Sequence, residues 1–274
     1  MFCIKCGSVN PEYGKYCHKC GQLLFRPKAE ETLLPVEPSI RKWQHALDEY
    51  RYPVDLTTFA DRQQHCGWFA RNIDVGNRAQ TIEFETFFRQ NAPDHLEAWL
   101  EVVFWKLYSS HPHIAKVVIE TVKRNGVSAG ELWSKCYDFT EHPSRSQFAL
   151  FQELLVTTPT IAVCATFPAF IAPDRFPMVD SQIAKWVMNN HEKHNRSSND
   201  GVDLKPPKTF ITKKGKADIL LNLSQYQFVE SWTLWCRSKA KRLTEVGQQQ
   251  WRPRDVEMAI FTAQRGNLEL PTIP

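Results

Sequence analysis

The sequence predicts a mainly α-helical chain with a small β unit, built on four cysteines, at its N-terminus. Two patterns predict this. Cys3, Cys6, Cys17 and Cys20 form two C-x-x-C-G pairs. From Ile40 onward, apolar residues recur at the i, i+3, i+4, i+7 spacing of amphipathic helices, with little of the alternation that marks strands. Between the two lies a stretch with Pro27, Pro35 and Pro38 and with Glu30, Glu31 and Glu37, a composition that keeps a chain extended. The expected organisation is therefore 1–26 as the cysteine unit, 27–39 as a linker and 40–274 as one helical body.

In the N-terminal unit, two residues between thiolates let both sulfurs of a tight knuckle reach one ion. Gly7 and Gly21, which follow each pair, permit the positive φ that such a knuckle needs. Two knuckles supply four thiolates in a closed tetrahedron, so the metal is expected to be zinc and its role structural. The ion also stands in for a core that a unit of ~25 residues cannot build. This pattern resembles the short zinc-ribbon family, whose members bind nucleic acid or protein, or brace a neighbouring domain. His18 lies between ligands whose shell is already full.

Ser39 is a candidate N-cap for a helix carrying Ile40, Trp43 and Leu47. Gln80–Gln90 carries Ile82, Phe84, Phe87 and Phe88. The segment from Pro93 to Tyr108 is apolar nearly all round, which places it in the centre of the core. Ile114–Arg124 stops at Asn125-Gly126, and Ser128 precedes Glu131–Phe139. Ser144 opens Arg145–Val156, and Thr160–Phe170, Ser181–Asn190, Ser224–Thr244 and Pro253–Gln264 follow. Asn189–Lys216 breaks the pattern. It is polar, with seven Lys or Arg against three acids, and reads either as a solvated insertion or as a loop that meets phosphate. Arg252 and Arg254 read foremost as part of a well-started helix, with Pro253 first and acids in its opening turn, and otherwise as contacts to phosphate or to the Asp180 helix. Trp232 and Trp235 share a helical face and are read as core.

Composition bounds the function. The chain has 274 residues, 42% of them apolar, with a net charge of +4, which suits a polyanionic partner without demanding one. Nine Trp and seventeen Phe are read mainly as core packing. The longest apolar stretch, Ile161–Ile171, is short and interrupted by Pro168, so no membrane span is expected. The cysteine unit leaves no room for a signal peptide ahead of it, and cytoplasmic residence is the expectation. Cys66, Cys136, Cys164 and Cys236 are expected to be buried thiols. No P-loop or dinucleotide fingerprint is present, so no nucleotide cofactor is expected.

The stretch from Leu154 to Val187 carries the functional signal. Thr158-Pro159-Thr160-Ile161 interrupts two helices, Pro173-Asp174-Arg175-Phe176-Pro177 forms a short loop, and Asp180 opens the next helix. In outline this resembles the helix-hairpin-helix DNA glycosylase superfamily: a hairpin, a helix, a loop of the type Asp-Pro-Asp-x-Phe-Pro, and then an aspartate. The resemblance implies an all-α glycosylase-like body with Asp180 as the catalytic carboxylate. Such a carboxylate stabilises the positive charge that develops on the sugar and orients the attacking water. The base would first be flipped out of the duplex. The hairpin lacks the family's two glycines, whose backbone amides approach a phosphate in that family. It also lacks the lysine of the bifunctional branch, so the implied enzyme is monofunctional and leaves an abasic site. Arg175, Lys185, Lys193, Arg196, Lys213 and Lys214 are the candidate contacts to DNA, expected to be a duplex with a damaged or modified base. Hypermodified phage DNA, in antiviral defence, is one such target.

From spacing alone, Asp180 ahead of Ser181, Ile183, Trp186 and Val187 is equally an ordinary helix N-cap. Two rivals follow: a non-catalytic nucleic-acid-binding protein, whose binding falls steeply with salt, and a protein-interaction adaptor with no DNA affinity. The metal expectation is tested directly. Elemental analysis of the purified chain should find one zinc per molecule, lost on Cys6→Ser or Cys17→Ser; a wild-type chain without zinc would contradict it.

Overall fold

The structure is a computed structural model, and it describes residues 38–52, 76–107, 112–155, 161–196, 201–211, 217–219, 222–247 and 249–273. The chain divides into two compact units, Met1–Val36 and Glu37–Pro274. The cysteines Cys3, Cys6, Cys17 and Cys20, together with Cys66, Thr158-Pro159-Thr160, Lys213 and Lys214, lie outside the described residues.

The described residues are mainly helical. In chain order they form α1 (Pro38–Asp48), α2 (Arg78–Asn91), α3 (Leu96–Leu107), α4 (Pro112–Arg124), α5 (Ala129–Glu141), α6 (Arg145–Leu155), α7 (Ile161–Cys164), α8 (Thr166–Ile171) and α9 (Ser181–Arg196). A hairpin of β1 (Thr209–Ile211) and β2 (Ala217–Ile219) follows, then α10 (Tyr226–Val246) and α11 (Pro253–Gly266). The strands are antiparallel, with Phe210 opposite Asp218.

Local chemistry explains most boundaries. The Ser128 hydroxyl accepts from the Glu131 N–H and caps α5, while Ser144 does the same for Gln147 at α6. Gly126 takes a φ of +64° just after α4, a conformation few other residues reach. Pro38 begins α1, so Ser39 lies inside the helix rather than capping it. The expected helix over Thr160–Phe170 is two short ones, α7 and α8, broken at Ala165. The restart places Pro168 in the first turn of α8, where its missing N–H leaves no helical bond unmade.

The core is aromatic. Phe88 meets Trp99 edge-on at 5.1 Å, Trp99 lies 4.9 Å from Phe167, and Phe170 packs against Phe84 and Trp105, both at 5.3 Å. Helix α3 runs through the centre of this cluster, buried at every position from Ala98 to Leu107. Helix α11 is a second hub, packing on α1, α9 and α10. Trp232 and Trp235 are fully buried and stacked at 5.7 Å, as core residues. Cys136, Cys164 and Cys236 are buried free thiols, and burial raises the pKa of each. No described helix is long and apolar enough to cross a membrane.

The polar stretch after Asn189 is more structured than its composition suggests. Helix α9 continues to Arg196, six residues past the expected end at Asn190. The Asn195 side chain then clamps Leu204, accepting from its N–H at 2.9 Å and donating to its carbonyl at 3.1 Å. Gln225 brackets the backbone of Lys208 in the same way. These contacts fix residues 204–208 against α9 and α10.

His194 holds the last turns of α9 in place. It is 1% exposed and packs between Trp186 at 5.0 Å and Trp235 at 5.5 Å. Burial, and then the ammonium groups of Lys239 and Lys193, lower its pKa from 6.5 to about 4. Between those values the unfolded chain binds the extra proton, so the stability from neutral His194 is complete above about pH 6.5 and is lost as pH falls through 4. Urea unfolding of wild type and His194→Phe should therefore diverge in this window, with wild type losing up to about 3 kcal/mol more. Parallel pH profiles for the two proteins would contradict it.

Candidate functional site

Asp180 is the N-cap of α9. Its Oδ1 accepts from the Gln182 and Ile183 N–H groups at 2.8 and 2.9 Å, and its backbone carbonyl accepts from Ala184. These bonds occupy orphan donors of the first turn, where the helix end favours negative charge. The second oxygen, Oδ2, faces Lys106 Nζ at 3.6 Å. The Asp180 side chain is 14% exposed and that of Lys106 only 3%.

Lys106 is the partner that sequence reasoning passed over. It sits near the end of α3, in a helix whose apolar character hides it. Its backbone carbonyl accepts from the Tyr52 hydroxyl at 2.9 Å, and its ammonium lies 5.7 Å from the centre of the Tyr52 ring. Tyr52 is in turn stacked between Trp105 and Phe261. Burial lowers the pKa of Lys106; the Asp180 charge works against that, and Arg254 adds to it. Burial, and then Asp180, hold the Tyr52 hydroxyl well above its usual range. The signal available in the sequence was a lysine, five residues after a glutamate (Glu101), in an otherwise apolar run: a buried polar residue is more informative than an exposed apolar one.

This pair adjoins a larger buried charge cluster at the start of α11. Arg252 forms a fork with Asp255, Nε to Oδ2 and Nη2 to Oδ1, both at 3.0 Å. Its Nη1 reaches Glu85 on α2 at 2.9 Å, and Arg78 adds a further bond to Asp255 at 3.0 Å. Arg254 bonds Glu85 at 3.2 Å and pairs with Glu257 one turn on. Glu85, Arg254, Asp255 and Glu257 are all 0% exposed. Burial alone would raise the Asp255 carboxyl, but the bonds and charge of Arg252, and then Arg78, hold it below the usual carboxylate range. Arg252 and Arg254 thus serve the start of this helix, as their sequence context suggests. The Arg254 N–H also donates to the Pro173 carbonyl at 3.3 Å, which ties the cluster to the loop that leads to Asp180.

That loop, Pro173–Pro177, turns tightly, with the Arg175 and Phe176 N–H groups donating to the Ala172 carbonyl. Trp232 Nε1 donates to the Met178 carbonyl at 2.9 Å and fastens α10 to the chain just before Asp180.

The basic residues expected around the site are spread out. Arg175 lies in the loop, where Nη2 donates to Glu141 at 2.7 Å and Nη1 to the Thr140 carbonyl at 3.1 Å. Lys185 is exposed on the second turn of α9. Lys193 and Arg196 pair with Glu269 and Glu192. At 1.5 Å per residue they stand roughly 20 and 24 Å along the helix from Asp180. The structure therefore brings Arg175 and Lys185 to the Asp180 end and leaves Lys193 and Arg196 at the other. Among the described residues, no group of three His, Cys, Asp or Glu side chains is placed to hold a metal. In comparisons with known proteins, no family model, no curated sequence and no solved structure matches this chain.

Proposed function

We propose that the helical body is a monofunctional DNA N-glycosylase that excises a damaged or modified base, with Asp180 as its catalytic carboxylate. One observation carries the reading. Asp180 is a carboxylate fixed by two backbone N–H groups at the start of a sixteen-residue helix, beside a buried lysine and directly after the Pro173–Pro177 turn. Cleaving the C1′–N bond develops positive charge on the sugar. A carboxylate that is already oriented stabilises that charge without reorganising and aligns the water that attacks C1′. Lys106 supplies the counter-charge in the resting protein. The N-terminal cysteines are proposed to hold one structural zinc, and the ribbon to provide a second contact to DNA or to a partner.

A specific observation also favours the rival reading, a nucleic-acid-binding protein without chemistry. Oδ1 of Asp180 is fully engaged in capping and Oδ2 already faces an ammonium, as in a purely structural cap.

The two part on a simple assay. Wild type is incubated with duplexes carrying a panel of modified bases and with hypermodified phage DNA. Abasic sites, revealed as strand breaks only after alkali, are the expected product, with no adduct trapped by borohydride. Failure to release a base from any substrate would contradict the glycosylase. Breaks without alkali, with a borohydride adduct at Lys106, would contradict its monofunctional character.

A further inference from the structure

One further charged group, Arg237, lies over the Pro173–Pro177 loop. Arg237 lies on α10, five residues past the Trp232 that anchors this helix to Met178. Its guanidinium carbon sits 5.7 Å from the centre of the Phe176 ring, and Phe176 is itself 5% exposed. The residue is half-buried, with its guanidinium over the loop. No carboxylate among the described residues lies within ion-pair reach of it.

Its electrostatic surroundings are unfavourable. Burial lowers the pKa of Arg237, and Arg175 lowers it further. Asp174 offsets part of this from an exposed position without forming an ion pair. Arg175 is tied to Glu141 and to the Thr140 carbonyl, and its charge acts on Arg237 from there. The result is a guanidinium fork seated over Phe176 with a second arginine in its field, and Phe176 stands four residues before Asp180 in the sequence. A fork of this kind matches the paired oxygens of a phosphodiester, and a like-charged neighbour strengthens the attraction for an anion.

We propose that Arg237, seated on Phe176 beside Arg175, is a phosphate-binding residue that holds the DNA backbone next to Asp180. The choice of DNA as the source of the phosphate rests on the glycosylase reading. The loop fixes the geometry: Phe176 sets Arg237, Met178 ties α10 in place, and Asp180 follows, so the phosphate contact and the carboxylate are held on one short segment.

The test is binding of the full chain to a short fluorescent duplex between about 50 and 200 mM salt. Wild type, Arg237→Gln and Arg237→Lys are compared. Losing one phosphate contact should make the slope of log affinity against log salt shallower by about 0.9 in Arg237→Gln, with binding roughly tenfold weaker at fixed salt. Arg237→Lys, which keeps the charge and the stem, should retain the slope. An Arg237→Gln protein with wild-type slope and affinity would overturn the proposal. So would an Arg237→Lys protein whose salt slope is as shallow as the glutamine variant's, or a wild type that binds no duplex. Base release on the same samples reports separately on Asp180. Release with an unchanged slope discards the Arg237 contact and keeps the glycosylase; a changed slope with no release does the reverse.

Discussion

The first turn of α11 imposes the constraint around which the rest of the helical body is arranged. Every residue from Pro253 to Phe261 is buried, and three of them, Arg254, Asp255 and Glu257, carry charge. Burying a lone charge is costly, and removing one partner of a buried pair typically costs about 3–5 kcal/mol. The chain answers with Glu85 and Arg78 from α2 and with Arg252 from the turn before the helix. Since these partners come from distant parts of the sequence, their pairing fixes α2 against α11. The Arg254–Pro173 bond carries that registration into the loop before Asp180.

Asp180 is therefore placed by more than its own helix. Its cap bonds set the carboxylate plane, Lys106 on α3 faces its second oxygen, and Trp232 on α10 holds the preceding backbone. A cap alone requires the first of these. The other two hold the carboxylate at a junction of three helices and the loop, which is the kind of support an oriented catalytic group needs. The same loop seats Arg237 on Phe176, so one segment of about eight residues joins the proposed phosphate contact to the proposed carboxylate.

The fold was largely legible in the sequence where a local rule decides the outcome. The all-round apolar pattern of 96–107 placed α3 at the centre, Asn125-Gly126 ended α4, Ser128 and Ser144 capped α5 and α6, and Pro253 started α11. Where tertiary contacts decide, the sequence was silent. The extension of α9 beyond Asn190 depends on His194 lying between two tryptophans, and the docking of 204–208 depends on Asn195 and Gln225. Composition alone reads both as polar loop. For the site, position 180 was readable as cap or catalyst, but Lys106 and Glu85 were not. Each is a charged residue in an apolar or mixed helix, and its partner is 74 or more residues away. Arg237 was hidden for the same reason, since only the fold brings it over Phe176.

In the proposed function the negative charge of Asp180, and not merely its capping, is what the protein uses. Asn caps a helix about as well as Asp, so Asp180→Asn keeps the α9 start and removes the charge. The decisive measurement is the single-turnover rate of base release by Asp180→Asn on a substrate that wild type cleaves, with duplex affinity measured alongside. The expected result is a loss of at least about a hundredfold in rate, with affinity retained. Release at the wild-type rate would contradict it and make Asp180 a helix cap.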